Sequence, residues 1–217
     1  VKLTSLEMCD AVVTDPPYNV NYEGGTEQKL KIENDHMADN DFYLFLLDAF
    51  SRAMECIKPG SAFYVWHADT EGINFRLALK AANIQIRQCL VWVKNTLVMG
   101  RQDYQWKHEP CLYGWKEGAA HYWQGGRDKT TIINCDRPQR NGAHPTMKPV
   151  ELIEILFGNS LRRDAVVVDL FGGSGSTLIA CEKQNRQARL MELDPKYCDV
   201  IVKRWEDFTG KKAELLI

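Results

Sequence analysis

Apolar positions along this chain keep two rhythms, one of strands and one of helices, broken by short polar stretches. The apolar run "DAVV" (10–13) comes at once and stops at the paired prolines of "TDPPYN" (14–19); the polar, Gly-containing stretch 21–39 that follows predicts a loop. Phe42, Phe45, Leu46, Ala49, Phe50, Ala53, Met54 and Ile57 then recur at helical spacing. They predict a helix over 39–57, capped by Asp39 or Asn40 and stopped by "KPG". "SAFYVWH" (61–67) reads as a buried strand, 71–82 as a helix and 84–94 as another strand. Periodicity lapses over 95–143 except for a strand at "EPCLYGW" (109–115), so that segment reads as an insertion lying over the scaffold. Regularity returns with a helix over 150–160 that has Pro149 at its first position and Ile153, Leu156 and Phe157 on its apolar face. "AVVVDLF" (165–171) is a strand apolar on both faces, and "GGSGST" turns from it into a helix through Lys183. "QARLMEL" (187–193) is the next strand. Asp194 and Pro195 open a last helix with Tyr197, Val200, Ile201, Trp205 and Phe208 on one face. Strand alternating with helix predicts an open, mostly parallel α/β sheet with helices on both faces.

Composition sets bounds on that picture. A chain of 217 residues suffices for one domain in two halves, 1–94 and 144–217, with 95–143 between them. No apolar run approaches the roughly 20 residues of a membrane span and no basic-then-apolar leader opens the chain, which predicts no membrane partner and a cytoplasmic protein. The chain starts on Val1 with a strand arriving immediately, which predicts further residues upstream. Seven scattered cysteines without a C-x-x-C pair fit reduced thiols packed in a core better than a disulfide framework or a metal site. Charge is uneven. Residues 87–148 hold ten Lys and Arg against five Asp and Glu, a balance of +5; the whole chain carries −2, so the remainder carries −7. A basic segment in an acidic chain is the footprint of a polyanionic partner.

Two strand ends carry unusual chemistry. In open α/β sheets, ligands bind beyond the carboxyl ends of strands near a reversal of strand order. At one such end, Gly172, Gly173 and Gly175 permit a tight turn into a helix N-terminus, and Glu192 and Asp194 follow about 20 residues on, where an acid meets ribose hydroxyls in nucleoside-cofactor folds. No Gly-Lys-Ser/Thr follows, so this is not a P-loop, and Leu178 at the third glycine position departs from the NAD fingerprint. The other end is Asp15-Pro16-Pro17-Tyr18.

In that order, "DPPY" (15–18), "HPTMKP" (144–149) and "DLFGGSGST" (169–177) resemble the motif set of the β-class amino-methyltransferases of DNA. In that family the target-base motif precedes the cofactor motif, with a target-recognition region between. The resemblance covers nearly the whole chain and is closest to adenine-N6 modification methylases of bacteria and phages, some of which carry a ParB-like domain upstream. It implies a Rossmann-like S-adenosylmethionine-dependent methyltransferase fold of circularly permuted motif order. It also implies S-adenosylmethionine as cofactor, double-stranded DNA as partner, room for a homodimer, and no metal. The family's usual Gly-Asp strand ahead of the first motif is missing, so the sheet is expected to lack a strand or to borrow "AELLI" (213–217).

The same resemblance assigns roles. Asp15, Pro16, Pro17 and Tyr18 would grip a flipped adenine: the Asp15 carboxylate and Pro16 carbonyl accept hydrogen bonds from the exocyclic amine, the prolines fix the backbone, and Tyr18 stacks on the base. Asp15 would also border the cofactor. Asp169, Phe171, Gly172, Gly173, Ser174 and Gly175 would shape the methionine end of its pocket, Glu192 would bind its ribose and Asp194 would lie near its adenine. Thr146 and Lys148 would hold its carboxylate, although Lys148 also reads as a solvated lysine at a helix start. Lys94, Arg101, Lys107, Lys116, Arg127, Lys129, Arg137 and Arg140 are candidates for phosphate contacts, with Lys94, Arg101, Arg127 and Arg140 preferred. Tyr104, Trp106 and Trp123 would stack or pack. N4 of cytosine offers the same amine geometry, but Asp rather than Ser at position 15 favours adenine. RNA or a protein amide as substrate, a non-catalytic DNA-binding subunit and an NAD-dependent redox enzyme are further readings. Cys111 reads as a strand residue, since Leu112 and the motif order do not suit a cytosine-C5 nucleophile. His67, His108 and His121 lack metal-ligand spacing.

Overall fold

The computed structural model describes residues 8–20, 36–137 and 147–215. In chain order they form β1 (Cys9–Thr14), α1 (Asp39–Glu55), β2 (Ile57–Trp66), a 3-10 turn (Asp69–Glu71), α2 (Gly72–Ala81), β3 (Ile86–Val98), β4 (Trp106–Trp115), β5 (Ile132–Asn134), α3 (Val150–Ser160), β6 (Val166–Asp169), α4 (Ser176–Lys183), β7 (Gln187–Leu190) and α5 (Pro195–Thr209). The strands make one sheet in the order β5-β3-β4-β2-β1-β6-β7. β4 runs antiparallel to both neighbours, and every other pairing is parallel.

Apolar β1 needs cover on both faces and a partner on both edges, and it has them. It pairs with β2 at Val12↔Phe63 and with β6 at Val12↔Val168. The period of two sorts side chains between layers. Val12, Phe63, Val65 and Val168 face α1 and α2 through Phe42, Leu46, Phe50 and Phe75. Val13, Tyr64, Trp66 and Val167 face α3 and α4 through Leu152, Leu156, Phe157 and Ala180. The chain steps outward from β1 to β2 and, in the other direction, from β6 to β7. Strand order therefore reverses between β1 and β6, and a crevice opens at their carboxyl ends.

Several sequence expectations need correction. Helix α1 ends at Glu55, before "KPG", which lies inside β2. There Gly60 takes φ +83° and the β1–β2 register slips between Cys9 and Ala11, so the tripeptide makes a bulge at the strand's start. Pro149 is the N-cap of α3, one position before its first residue. Residues 95–143 are not simply laid over the scaffold. β3 runs four residues past the expected end at Lys94, and β4 is an interior strand between β3 and β2, because Cys111, Leu112 and Tyr113 are apolar enough to be buried there. The short strand β5, unforeseen, adds to the edge of β3. On α5, Phe208 is 49% exposed, and none of the expected apolar face is fully buried. Residues 213–215, the described part of "AELLI", are coil, so that part adds no strand to the sheet. Most of the loop expected over 21–39 lies outside the described residues.

Candidate active site

The ladder of β1 ends where the sequence removes its donors: Pro16 and Pro17 have no N–H. Beside it, β6 ends in Asp169 and the glycine turn. Thr14 ties the two ends together by donating from Oγ1 to Asp169 Oδ1 at 3.0 Å. Asp169 also accepts from Thr177 Oγ1 at 2.6 Å and from the Phe171 N–H at 3.1 Å, so one buried carboxylate braces the β1 end, the turn and the start of α4. Burial pushes its pKa up to about 7, against those three hydrogen bonds. The two strand ends border a single cleft of about 820 Å³.

On the β6 side, Gly175 at φ +78° caps α4 and bonds back to the Gly172 carbonyl, a conformation only glycine adopts without strain. A Cβ on Gly172 would meet Ile201 of α5 and the Met191 carbonyl at 3.2 Å. Glu192 is held by backbone alone: Oε2 accepts from Gly173 N–H at 2.7 Å, and Oε1 from Leu193 and Asp194 N–H at 2.9 and 3.0 Å. No cation pairs with it among the described residues, and it lines the cleft with exposed Met191 and Leu193. Phe171 meets Phe45 of α1 with ring centroids 5.7 Å apart.

The β1 side is a buried charge cluster. Tyr18 donates to Asp15 Oδ1 at 2.5 Å. Lys148 Nζ reaches Asp15 Oδ2 at 2.6 Å, the Tyr18 hydroxyl at 2.9 Å and Glu109 Oε2 at 2.9 Å, one acceptor for each of its three protons. Glu109 Oε1 in turn takes Lys94 Nζ at 2.5 Å. Lys148 and Lys94 are 8% and 6% exposed, so two carboxylates balance two ammoniums with little water between them. Burial works against the charge on Glu109, but Lys148 and Lys94 outweigh it and hold the carboxyl down to about 2. Burial likewise opposes the Lys148 ammonium, and Asp15 and Glu109 outweigh that, raising its pKa. Burial, then Asp15 and Glu109, push the Tyr18 phenol well up. Two more buried polar atoms belong to residues of the cleft wall, Trp66 Nε1 and His67 Nε2, and neither has a hydrogen-bond partner among the described residues.

Asp15, Pro16, Pro17, Tyr18, Lys148, Asp169, Phe171, Gly172, Gly173, Ser174, Glu192 and Asp194 all line this cleft. Gly175 shapes its turn from behind, and Asp194 also caps α5 by accepting from Lys196 N–H at 2.9 Å. Two assignments change. Lys148 is not a solvated lysine, and its protons already meet acceptors of this chain. Lys94 is no surface cation: it is buried in the cleft wall and paired with Glu109. Arg101 and Arg127 are exposed and do not line the cleft. Thr146 and Arg140 lie outside the described residues. Sequence reasoning missed Glu109, read only as the first residue of a strand, and Trp66 and His67 as wall residues; Arg137, one of the expected phosphate candidates, also lines the cleft. The one usable signal for Glu109 was an acid leading an apolar run.

An open α/β sheet with an acid-Pro-Pro-Tyr strand end tied to a glycine turn across the strand-order reversal has the Rossmann-like fold of S-adenosylmethionine-dependent DNA methyltransferases. The profile of the DNA methylase family (N6_N4_Mtase) matches residues 9–203, and this chain belongs to that family. It is 30% identical to the type II methyltransferase M.Cfr9I of Citrobacter freundii over 168 residues, 71% of this chain but only 56% of that protein's length. Its fold is similar to that in the crystal structure of the M1.HpyAVI–SAM complex, with a TM-score of 0.70 at 23% identity over 91% of this chain and 89% of the other. It is also similar to the PvuII DNA methyltransferase, described as cytosine-N4-specific, with a TM-score of 0.76 at 16% identity over 94% and 82%.

Proposed function

We infer that this protein transfers a methyl group from S-adenosylmethionine to the N6 amine of an adenine extruded from double-stranded DNA, as a modification methylase. The observation that carries the reading is the Thr14–Asp169 tie, which puts the Asp-Pro-Pro-Tyr end and the glycine turn on one cleft.

The residues fit the cofactor. Glu192, pinned by three backbone donors and unpaired with any described cation, suits ribose hydroxyls, while Met191 and Leu193 offer apolar walls to a nucleoside. Gly172 and Gly173 let a ligand approach their backbone. When bound, S-adenosylmethionine supplies an electrophilic sulfonium methyl. The adenine amine is a poor nucleophile because its lone pair is delocalised into the ring, so the protein's task is to orient and polarise it. Asp15 and the Pro16 carbonyl accept its two N–H bonds and turn the lone pair outward, and their negative charge stabilises the positive charge that develops on nitrogen. Tyr18 and Lys148 keep the Asp15 carboxylate in one orientation. Extrusion costs a few kcal/mol, and stacking on the Tyr18 ring returns about 1–3 kcal/mol of it.

N4 of cytosine is the second reading, since the family includes enzymes for both amines and the geometry serves either. Incubation with methyl-labelled cofactor and duplex DNA, followed by mass analysis of the nucleosides, tests the choice. N6-methyladenine is expected. N4-methylcytosine alone would move the reading to cytosine, and no labelled nucleoside would remove it.

A further inference from the structure

We propose that Glu109 is a positioning residue for methyl transfer, holding the catalytic carboxylate in place through Lys148, with buried Lys94 as its counter-ion rather than a DNA contact. The proposal rests on the methyltransferase reading of this cleft.

Lys148 has three protons and three acceptors: Asp15 Oδ2, Tyr18 OH and Glu109 Oε2. Asp15 has two oxygens, one held by Lys148 and one by Tyr18. Nothing on β1 itself fixes the Asp15 side chain, because Pro16 and Pro17 follow it without N–H groups to offer. Its orientation comes from Lys148 and Tyr18, and Glu109 anchors the first of these: Oε2 accepts from Lys148 Nζ at 2.9 Å, while the Tyr18 hydroxyl, 3.3 Å from the same oxygen, has its one proton on Asp15 and is itself held by Lys148 at 2.9 Å. Glu109 is anchored in turn by Lys94 and by its strand, opposite Trp92. The β3–β4 register breaks directly after the Val93↔His108 pair, so Lys94 stands at an irregularity, a common device for re-aiming a side chain beside a site. Four separate stretches of chain thus converge on one carboxylate. The cluster is neutral with all four charges present, and losing any one of them alone unbalances it.

A buried ion cluster could serve stability alone, so the test separates the two roles. Glu109→Gln leaves two ammoniums against Asp15 and is expected to lower both the melting temperature and kcat. The double variant Glu109→Gln with Lys94→Met restores charge balance without restoring the anchor. In the double variant the melting temperature is expected to recover while kcat for transfer to duplex DNA stays down by roughly 10- to 100-fold. KM for DNA and the dissociation constant for the cofactor are expected to change by less than about threefold, since ground-state binding is untouched. Recovery of kcat together with the melting temperature, or an unchanged kcat in Glu109→Gln, would overturn the proposal. If the wild-type protein transfers no methyl to DNA, it is the parent reading that fails. The Lys148 ammonium resonance, followed by nitrogen-15 NMR, then decides the anchoring directly: a resonance unmoved in Glu109→Gln sinks it, and a shifted, faster-exchanging one sustains it.

Discussion

Asp169 and Glu109 are both carboxylates of the cleft, and their surroundings drive them in opposite directions. Asp169 has hydrogen-bond donors but no cation, and burial raises it from 3.8 to about 7. Its folded form therefore binds more protons than its unfolded form between those values, and stability falls as pH rises through that window. Glu109, lowered from 4.5 to about 2 by two ammoniums, stabilises above its unfolded value and loses that contribution as pH falls from 4.5 to about 2. Melting temperatures measured across pH are expected to decline from pH 4 toward 7 in the wild type and to flatten over that range in Asp169→Asn. They are expected to lose part of their acid-side slope in Glu109→Gln. A prediction for catalysis sits at the same scale. Asp15→Asn keeps an acceptor but loses the charge proposed to meet the amine, and is expected to lower kcat by about 10²–10³-fold while calorimetry finds cofactor binding retained.

The glycine turn depends on the helix packed behind it. Ile201 of α5 lies under Gly172 and Gly175, and Arg204 of the same helix donates to the Ser174 carbonyl at 2.9 Å. Gly175→Ala combines a left-handed backbone with a Cβ 3.3 Å from Ile201, so it is expected to cost about 1–2 kcal/mol, read as a lowered melting temperature together with weakened cofactor binding. Beyond β5, Arg137 lines the cleft, and its guanidinium has no ion-pair partner among the described residues. Arg137→Ala is expected to weaken DNA binding evenly across sequences and to reduce the salt slope by about 1. Elements with a strong period are legible in the sequence alone: α3 falls on the expected 150–160, and α1, α2 and β6 within two residues at each end. Failures cluster where local pattern and sheet context disagree. "KPG" carries a helix-stop composition but serves as a strand bulge, and β5 is too short for any periodicity to register.

At the level of the whole molecule, the cleft was legible because its two motifs advertise themselves within a few residues, and sheet topology brings such strand ends together. The charge cluster was not. Glu109 is 94 residues from Asp15 and 39 from Lys148, so only the fold makes them neighbours, and a lysine that is one of ten cations in a basic segment gives no sign that it is buried. The insertion reading went wrong for the same reason. The strand expected at 109–115 carried no sign in its own pattern that it runs through the middle of the sheet.

That strand has a consequence for how such a protein can be re-engineered. The tip joining β3 to β4 and the glutamate under the cleft share one length of backbone, so the tip is the far end of a ruler whose markings must not slide. Exchanging Asp103 and Tyr104, which are exposed and do not line the cleft, is expected to leave methylation chemistry intact. Adding a single residue between Glu109 and Cys111 would turn the glutamate to the opposite side of the sheet, because the buried pairs from Cys111 to Trp115 hold their register with β2, and is expected to silence transfer.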